Sequence, residues 1–183
     1  MLTTRRVLSW TGTVLATAAM AVAVQAAPAQ ADGTVTCPNG HEVATYSPGL
    51  TLTLRNVAVH AEGTIGACVD VSGDSPARAN GEISFSGNGQ LSCVAGNASG
   101  TGRVNWNPSG IPTTHFTWTG AVGLRPGGYA VLVLTGTVTS NDFQGQTLQM
   151  EFVLSTTAEQ SAQCTTTDGM ESNSGVLALF TIV

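Results

Sequence analysis

The sequence predicts an all-β fold: an antiparallel meander of about eight to ten strands, closed as a barrel or as a two-layer sandwich and stapled by two disulfides. Three observations predict it. Period-two alternation of apolar and polar residues recurs after residue 32, where helical periodicity is nearly absent. The segments between the alternating runs are rich in glycine, proline and asparagine. Four cysteines, an even number, follow what reads as an export signal.

The alternation is clearest from Thr147 to Leu154. There Leu148, Met150, Phe152 and Leu154 share one parity, while Thr147, Gln149 and Glu151 take the other. Such a strand buries one face and wets the other. Leu52 and Leu54 share one parity and Val57 and Val59 the opposite one, which predicts a bulge near Arg55 and Asn56. The final run GVLALFTIV is apolar on both parities and predicts a well-covered strand that closes the sheet against the first strands. Connections are expected at SGNGQ (86–90), NPSGIPT (107–113), GLRPGG (123–128) and SNDFQGQ (140–146). A long meander of this kind has to close, because open edges invite aggregation.

The N-terminus carries Arg5 and Arg6 ahead of an apolar run, Val7 to Val24, that ends in the small-residue stretch AAPAQA. That is the order of a secretory signal, with cleavage expected after Ala31. TRRVLS also fits loosely the twin-arginine address for export of folded chains. Residues 32–183 then form one domain of ordinary size. This part keeps four arginines (Arg55, Arg78, Arg103, Arg125), has no lysine and holds all eleven acidic residues, for a formal charge of −7. Such a surface repels phosphate backbones and anionic lipid, so neither nucleic acid nor membrane insertion is expected. If the last strand closes against the first, Cys37 comes near Cys164, and the expected disulfides are Cys37 with Cys164 and Cys68 with Cys93. Zinc is disfavoured, since there is no C-x-x-C pair and the histidines stand apart.

CPNGHEVATYSPGLTLT, GACVDVSGD, GNGQLSCVAGNASGTGRVNW and the late GTVTSNDFQGQ with Cys164 together resemble a family of small secreted proteins of high-GC Gram-positive bacteria. These are four-cysteine β-proteins, immunoglobulin-like or barrel-like. The resemblance covers essentially the whole of residues 32–183, and TYSPGL is its most specific piece. It implies export and an all-β fold, and it carries no activity and no catalytic residues.

The chemistry-bearing residues point weakly. Gly73-Asp74-Ser75 has the look of a serine-protease nucleophile, but Pro76 follows it where that pattern needs a glycine with a free N–H. His60 precedes Ser75 by only fifteen residues. Asp70, Ser72 and Asp74 alternate as weak calcium candidates, without the terminal glutamate such a loop needs. His41-Glu42, His60 and His115 would serve as metal ligands or general bases only if the fold brought them together; the three histidines read as solvated positions, and Glu82 and Glu151 as isolated acids on wet strand faces. Asn97-Ala98-Ser99 forms a sequon expected in an exposed loop.

Trp106 and Trp118 flank the Pro108–Pro112 connection. They are either core or an exposed platform that Tyr46 and Tyr129 would rim. No cofactor fingerprint is present. The expectation is therefore a secreted, non-catalytic domain that binds a cell-wall glycan or an extracellular protein, or serves a structural role at the envelope. The alternatives are a small hydrolase or isomerase using His115, Glu151 or Asp142, and a protease inhibitor presenting NPSGIPT.

Overall fold

The computed structural model describes residues 34–73, 76–124, 130–140 and 143–183. The expected signal segment lies outside them, as do Asp74, Ser75, Tyr129 and Asp142.

The described residues form ten strands and one short helix: β1 (Val35–Cys37), β2 (Asn39–Leu50), β3 (Arg55–Gly66), β4 (Val69–Asp70), β5 (Asn80–Leu91), β6 (Gly96–Asn107), β7 (Thr114–Leu124), β8 (Ala130–Val138), β9 (Thr147–Ser155), α1 (Ala158–Gln163) and β10 (Met170–Ile182). All pairings are antiparallel, and each long strand lies beside its neighbour in sequence until β10 returns to pair with both β9 and β2. The result is a closed barrel rather than a sandwich.

The registers show that two of the short strands are continuations. Cys37 of β1 pairs with Phe180 and His41 of β2 with Val176, so both stretches lie in one unbroken register along β10. Pro38 alone interrupts them, because it has no N–H to give the ladder. In the same way β4 extends β3: Val35↔Asp70 and Asn39↔Gly66 keep one register across a break at Ala67, whose φ is +49°. The barrel is thus eight long strands in up-and-down order. Following partners from Tyr46 through Val59, Gly87, Gly100, Trp118, Gly136, Leu148 and Ile182 leads back to the first strand at Val35, eleven residues from the start. An offset of that size means steeply tilted strands around an interior that side chains can fill.

The inward positions supply the core. Val57, Val59, Ala61 and Ile65 point in from β3, and Leu148, Met150, Phe152 and Leu154 from β9. Phe116, Trp118 and Trp106 span the centre; Phe85 meets Trp118 edge-on at 5.6 Å, and Phe180 meets Trp106 at 5.9 Å. Inward glycines make the large rings possible. A Cβ at Gly87 would lie 2.6 Å from Trp118 Cζ2, and one at Gly102 would fall on the Phe116 ring. SGNGQ therefore lies within the C-terminal half of β5 and is not a connection, and Asn97-Ala98-Ser99 pairs with its last three residues on β6. The reversal lies at Ser92–Ala95, where Ser92 N–H donates to the Ala95 carbonyl. The expected bulge at Arg55 and Asn56 is likewise absent: residues 51–54 form a connection with Leu52 and Leu54 exposed, and β3 begins afresh at Arg55.

The disulfides are Cys37–Cys68 and Cys93–Cys164, which corrects the expected pairing. β10 does close against the first strand, but antiparallel. Cys37 faces Phe180 near the end of β10, and Cys164 precedes Met170 at its start, so about 30 Å of strand separates them. Cys68 continues the β3 register instead and falls directly opposite Cys37, with Cα atoms 4.0 Å apart. Cys93 in the β5–β6 turn reaches Cys164 just after α1, at the opposite end of the barrel.

That second end is organised by α1, which the alternation pattern hides. Thr157 and Gln160 form a reciprocal capping box: Thr157 Oγ1 accepts from Gln160 N–H, and Gln160 Oε1 accepts from Thr157 N–H. Among the described residues no helix is long and apolar enough to cross a membrane.

Candidate functional site

The tryptophans do not form a platform. Trp106 and Trp118 are both buried inside the barrel, and they are not cross-strand partners, since Trp118 pairs with Gly100. Trp106 Nε1 donates to Thr114 Oγ1 at 2.8 Å, and Trp118 Nε1 to the Thr101 carbonyl at 3.2 Å. Each indole is satisfied where it lies. Tyr46 is half-buried inside the helix end, donating from its hydroxyl to Asn173 Oδ1 at 2.8 Å. It lines a cavity of about 40 Å³ with Leu50, Leu91 and Met170, room for roughly one water.

The Asp70 loop is closed to a metal by a cation the chain provides. Arg78 Nη1 donates to Asp70 Oδ2 at 3.0 Å, with both side chains buried. Arg78 N–H donates to the same oxygen, while Ser72 N–H and Oγ donate to Oδ1. Burial raises the Asp70 pKa, but these hydrogen bonds outweigh it and hold the carboxyl below its ordinary value. The guanidinium lies 4.4 Å from the Phe143 ring and 5.9 Å from that of Trp106, so the pair plugs the end of the barrel away from α1.

His41 is exposed, whereas Glu42 beside it is fully buried. It sits on the inward parity of β2 between Gly63 and Gly175, whose missing side chains leave it room. Neither carboxyl oxygen has a hydrogen-bond partner among the described residues. Burial pushes its pKa up to about 7. Tyr46 is raised as well, by burial first and then by the Glu42 charge, against the hydrogen bond with Asn173.

The outer wall carries the polar residues. His115 and Glu151 both lie on it, but the registers set them six residues apart along the sheet with β8 between, about 20 Å. They form no common site. The 108–113 connection stays exposed at Pro108–Gly110, while Ile111 packs against the core.

Two grooves run across β3, β5, β6, β7 and β8. The larger, about 700 Å³, is lined on its outward positions by Asn56, Gln90, Asn97, Ser99, Thr119 and Thr135, and no charged side chain lines it. Gln90 Nε2 donates to Asn56 Oδ1 at 2.8 Å, which fixes that amide pair. The smaller, about 410 Å³, holds His60, Ser86, Arg103 and His115. His60 Nδ1 lies 2.7 Å from Ser86 Oγ, and His60 Nε2 lies 3.3 Å from Glu62 Oε1. Sequence reasoning missed this set, because His60 and Ser86 are 26 residues apart and no motif joins them. The signal was available only through the β3–β5 register, which places them opposite one another.

These features define a closed eight-stranded up-and-down barrel with an orphaned acid inside and grooved polar walls outside. No family model, curated protein or solved structure matches the chain.

Proposed function

We propose that this is a secreted binding domain for neutral glycans of the cell envelope. The observation that carries the reading is the 700 Å³ groove, whose outward positions offer amides and hydroxyls and no charge. Amides and hydroxyls both donate and accept, as sugar hydroxyls do, so paired hydrogen bonds replace those lost to water. The strands beneath are rigid and paired on both sides, which presents these groups in a fixed array. Two disulfides fit an oxidising compartment, and the acidic balance of residues 32–183 disfavours an anionic polymer as ligand.

Titration calorimetry of residues 32–183 with neutral cell-wall oligosaccharides tests this. Binding that weakens at least tenfold in Gln90→Ala and Asn97→Ala, with melting unchanged, is expected. No heat at millimolar glycan, or binding indifferent to both substitutions, would overturn it.

A further inference from the structure

We propose that Ser86 is a nucleophile activated by His60 and Glu62, and that the smaller groove hydrolyses small acyl esters carried on the glycan the neighbouring groove holds. This rests on the glycan reading for its natural substrate, but not for its chemistry, and it departs from the expectation of a non-catalytic domain.

The set is built by register. β3 and β5 place His60 opposite Ser86, and Glu62 lies two residues along β3 on the same outward face. The 2.7 Å contact from Ser86 Oγ to His60 Nδ1 is within proton-transfer reach, and Glu62, 3.3 Å from the far nitrogen, orients the ring. The ring nitrogens are used in the opposite sense to the chymotrypsin arrangement, but the order of nucleophile, base and orienting acid is the same.

An ester also needs a donor for the charge that develops on its carbonyl oxygen. Backbone N–H groups of β5 cannot supply it, because the strand is paired with β3 and β6 on both sides. Arg103 can. It lines the same groove, makes no hydrogen bond or ion pair among the described residues, and stands two positions from Thr101, the residue opposite Ser86. That diagonal is about 7–8 Å, within the reach of an arginine side chain.

The chemistry closes with water as its one co-reactant. Ser86 Oγ attacks the acyl carbon as its proton passes to His60 Nδ1, and the oxyanion forms against Arg103. Collapse breaks the ester C–O bond, and the departing alcohol takes the proton from His60. Water, deprotonated by His60, then attacks the acyl-serine; the carboxylic acid leaves and Ser86 recovers its proton. Ser86 lies on the row next to Asn88 and Ser99 of the larger groove, so a glycan bound there would present an O-acyl branch to it.

The test uses residues 32–183, oxidised, with a fluorophosphonate probe and p-nitrophenyl acetate. The expected result is a single covalent adduct, mapped by peptide mass spectrometry to the peptide containing Ser86. Ser86→Ala should abolish it. His60→Ala should slow labelling at least tenfold at neutral pH, and Arg103→Ala should slow ester turnover more than it slows labelling. All three positions lie on the outer wall, so an unchanged melting curve serves as the folding control. No adduct, an adduct elsewhere, or equal rates in His60→Ala would overturn the proposal and leave His60 and Ser86 a cross-strand polar pair. The two readings fail separately: Gln90→Ala should lose glycan binding while keeping the adduct, and Ser86→Ala the reverse.

Discussion

Glu42 makes the stability of the barrel depend on pH in an unusual direction. An acid whose folded-state pKa lies above its unfolded value holds its proton more tightly when folded. Stability is therefore greatest below the unfolded pKa, falls as pH rises through the interval, and levels off above the folded pKa. For Glu42 the interval runs from 4.5 to about 7, so the ionised form costs the fold about 3 kcal/mol above pH 7, and the loss between pH 5 and pH 8 is about 2 to 3 kcal/mol. Tyr46, the ionisable side chain that interacts with it, has its pKa raised and stays neutral through this window. For a domain of this size the loss corresponds to a fall in Tm of roughly 5–10 °C. The assay is thermal unfolding followed by circular dichroism at pH 5 and pH 8, on the wild type and on Glu42→Gln and Glu42→Met. Both substitutions remove the charge and should flatten the difference, and Glu42→Met, which also removes the orphaned polar group, should be the more stable at pH 8. The reasoning is refuted if the wild type melts at the same temperature at both values, or if the substituted proteins keep its slope.

At Asp70 the sign reverses. Asp70 has its pKa lowered, so its stabilising contribution is present above its unfolded value and is lost as pH falls into the acid range. Taken with Glu42, stability should peak near pH 4–5 in a denaturant titration series. Arg78→Met strands the Asp70 carboxylate in a buried site and should cost about 3–5 kcal/mol in urea unfolding, while Arg78→Met with Asp70→Asn should recover part of it. Gly102→Ala puts a methyl group against Phe116 and within 2.8 Å of Phe85 Cβ; both rings are buried, so the same assay should show a loss of about 1–3 kcal/mol, against near zero for Thr101→Val on the outward face. Replacing Cys93 and Cys164 by serine opens a link across 71 residues and should cost up to about 4 kcal/mol, with non-reducing peptide maps of the parent showing Cys37–Cys68 and Cys93–Cys164.

What could be read from the sequence follows from which physical signals are local. The strand Thr147–Leu154 was legible because four consecutive inward positions are large and apolar, and the structure places all four in the core. β5 and β6 were misread at SGNGQ and at Asn97–Ser99 because their inward positions include Gly87, Gly89, Gly100 and Gly102, residues that signal turns when read alone. At two of them the reason is non-local: Trp118 projects from β7 into the space at Gly87, and Phe116 into that at Gly102. The disulfides failed on a subtler point. The closing of β10 on the first strand was anticipated, but antiparallel closure sends the two ends of β10 to opposite ends of the barrel, so cysteines near either end cannot meet.

The same logic separates the two kinds of candidate site. Asp70 with Ser72, and the tryptophans about their connection, were conspicuous because they are neighbours in sequence, and both are fully occupied by structural duties. Glu42 and the His60–Ser86 pair were inconspicuous because what distinguishes them is where the register puts them. Glu42 falls on the inward parity between two glycines with no partner for its carboxyl, and His60 falls opposite a serine with an acid on its other nitrogen. In a closed meander every strand position has a fixed side and fixed partners, so candidate residues are those whose chemistry conflicts with the side they occupy or exceeds what a wet wall requires. Glu42 meets the first condition and Ser86 with His60 the second. The two can be told apart in one experiment: a change that neutralises Glu42 should move the melting temperature and leave Ser86 labelling unaltered, and a change at His60 should do the opposite.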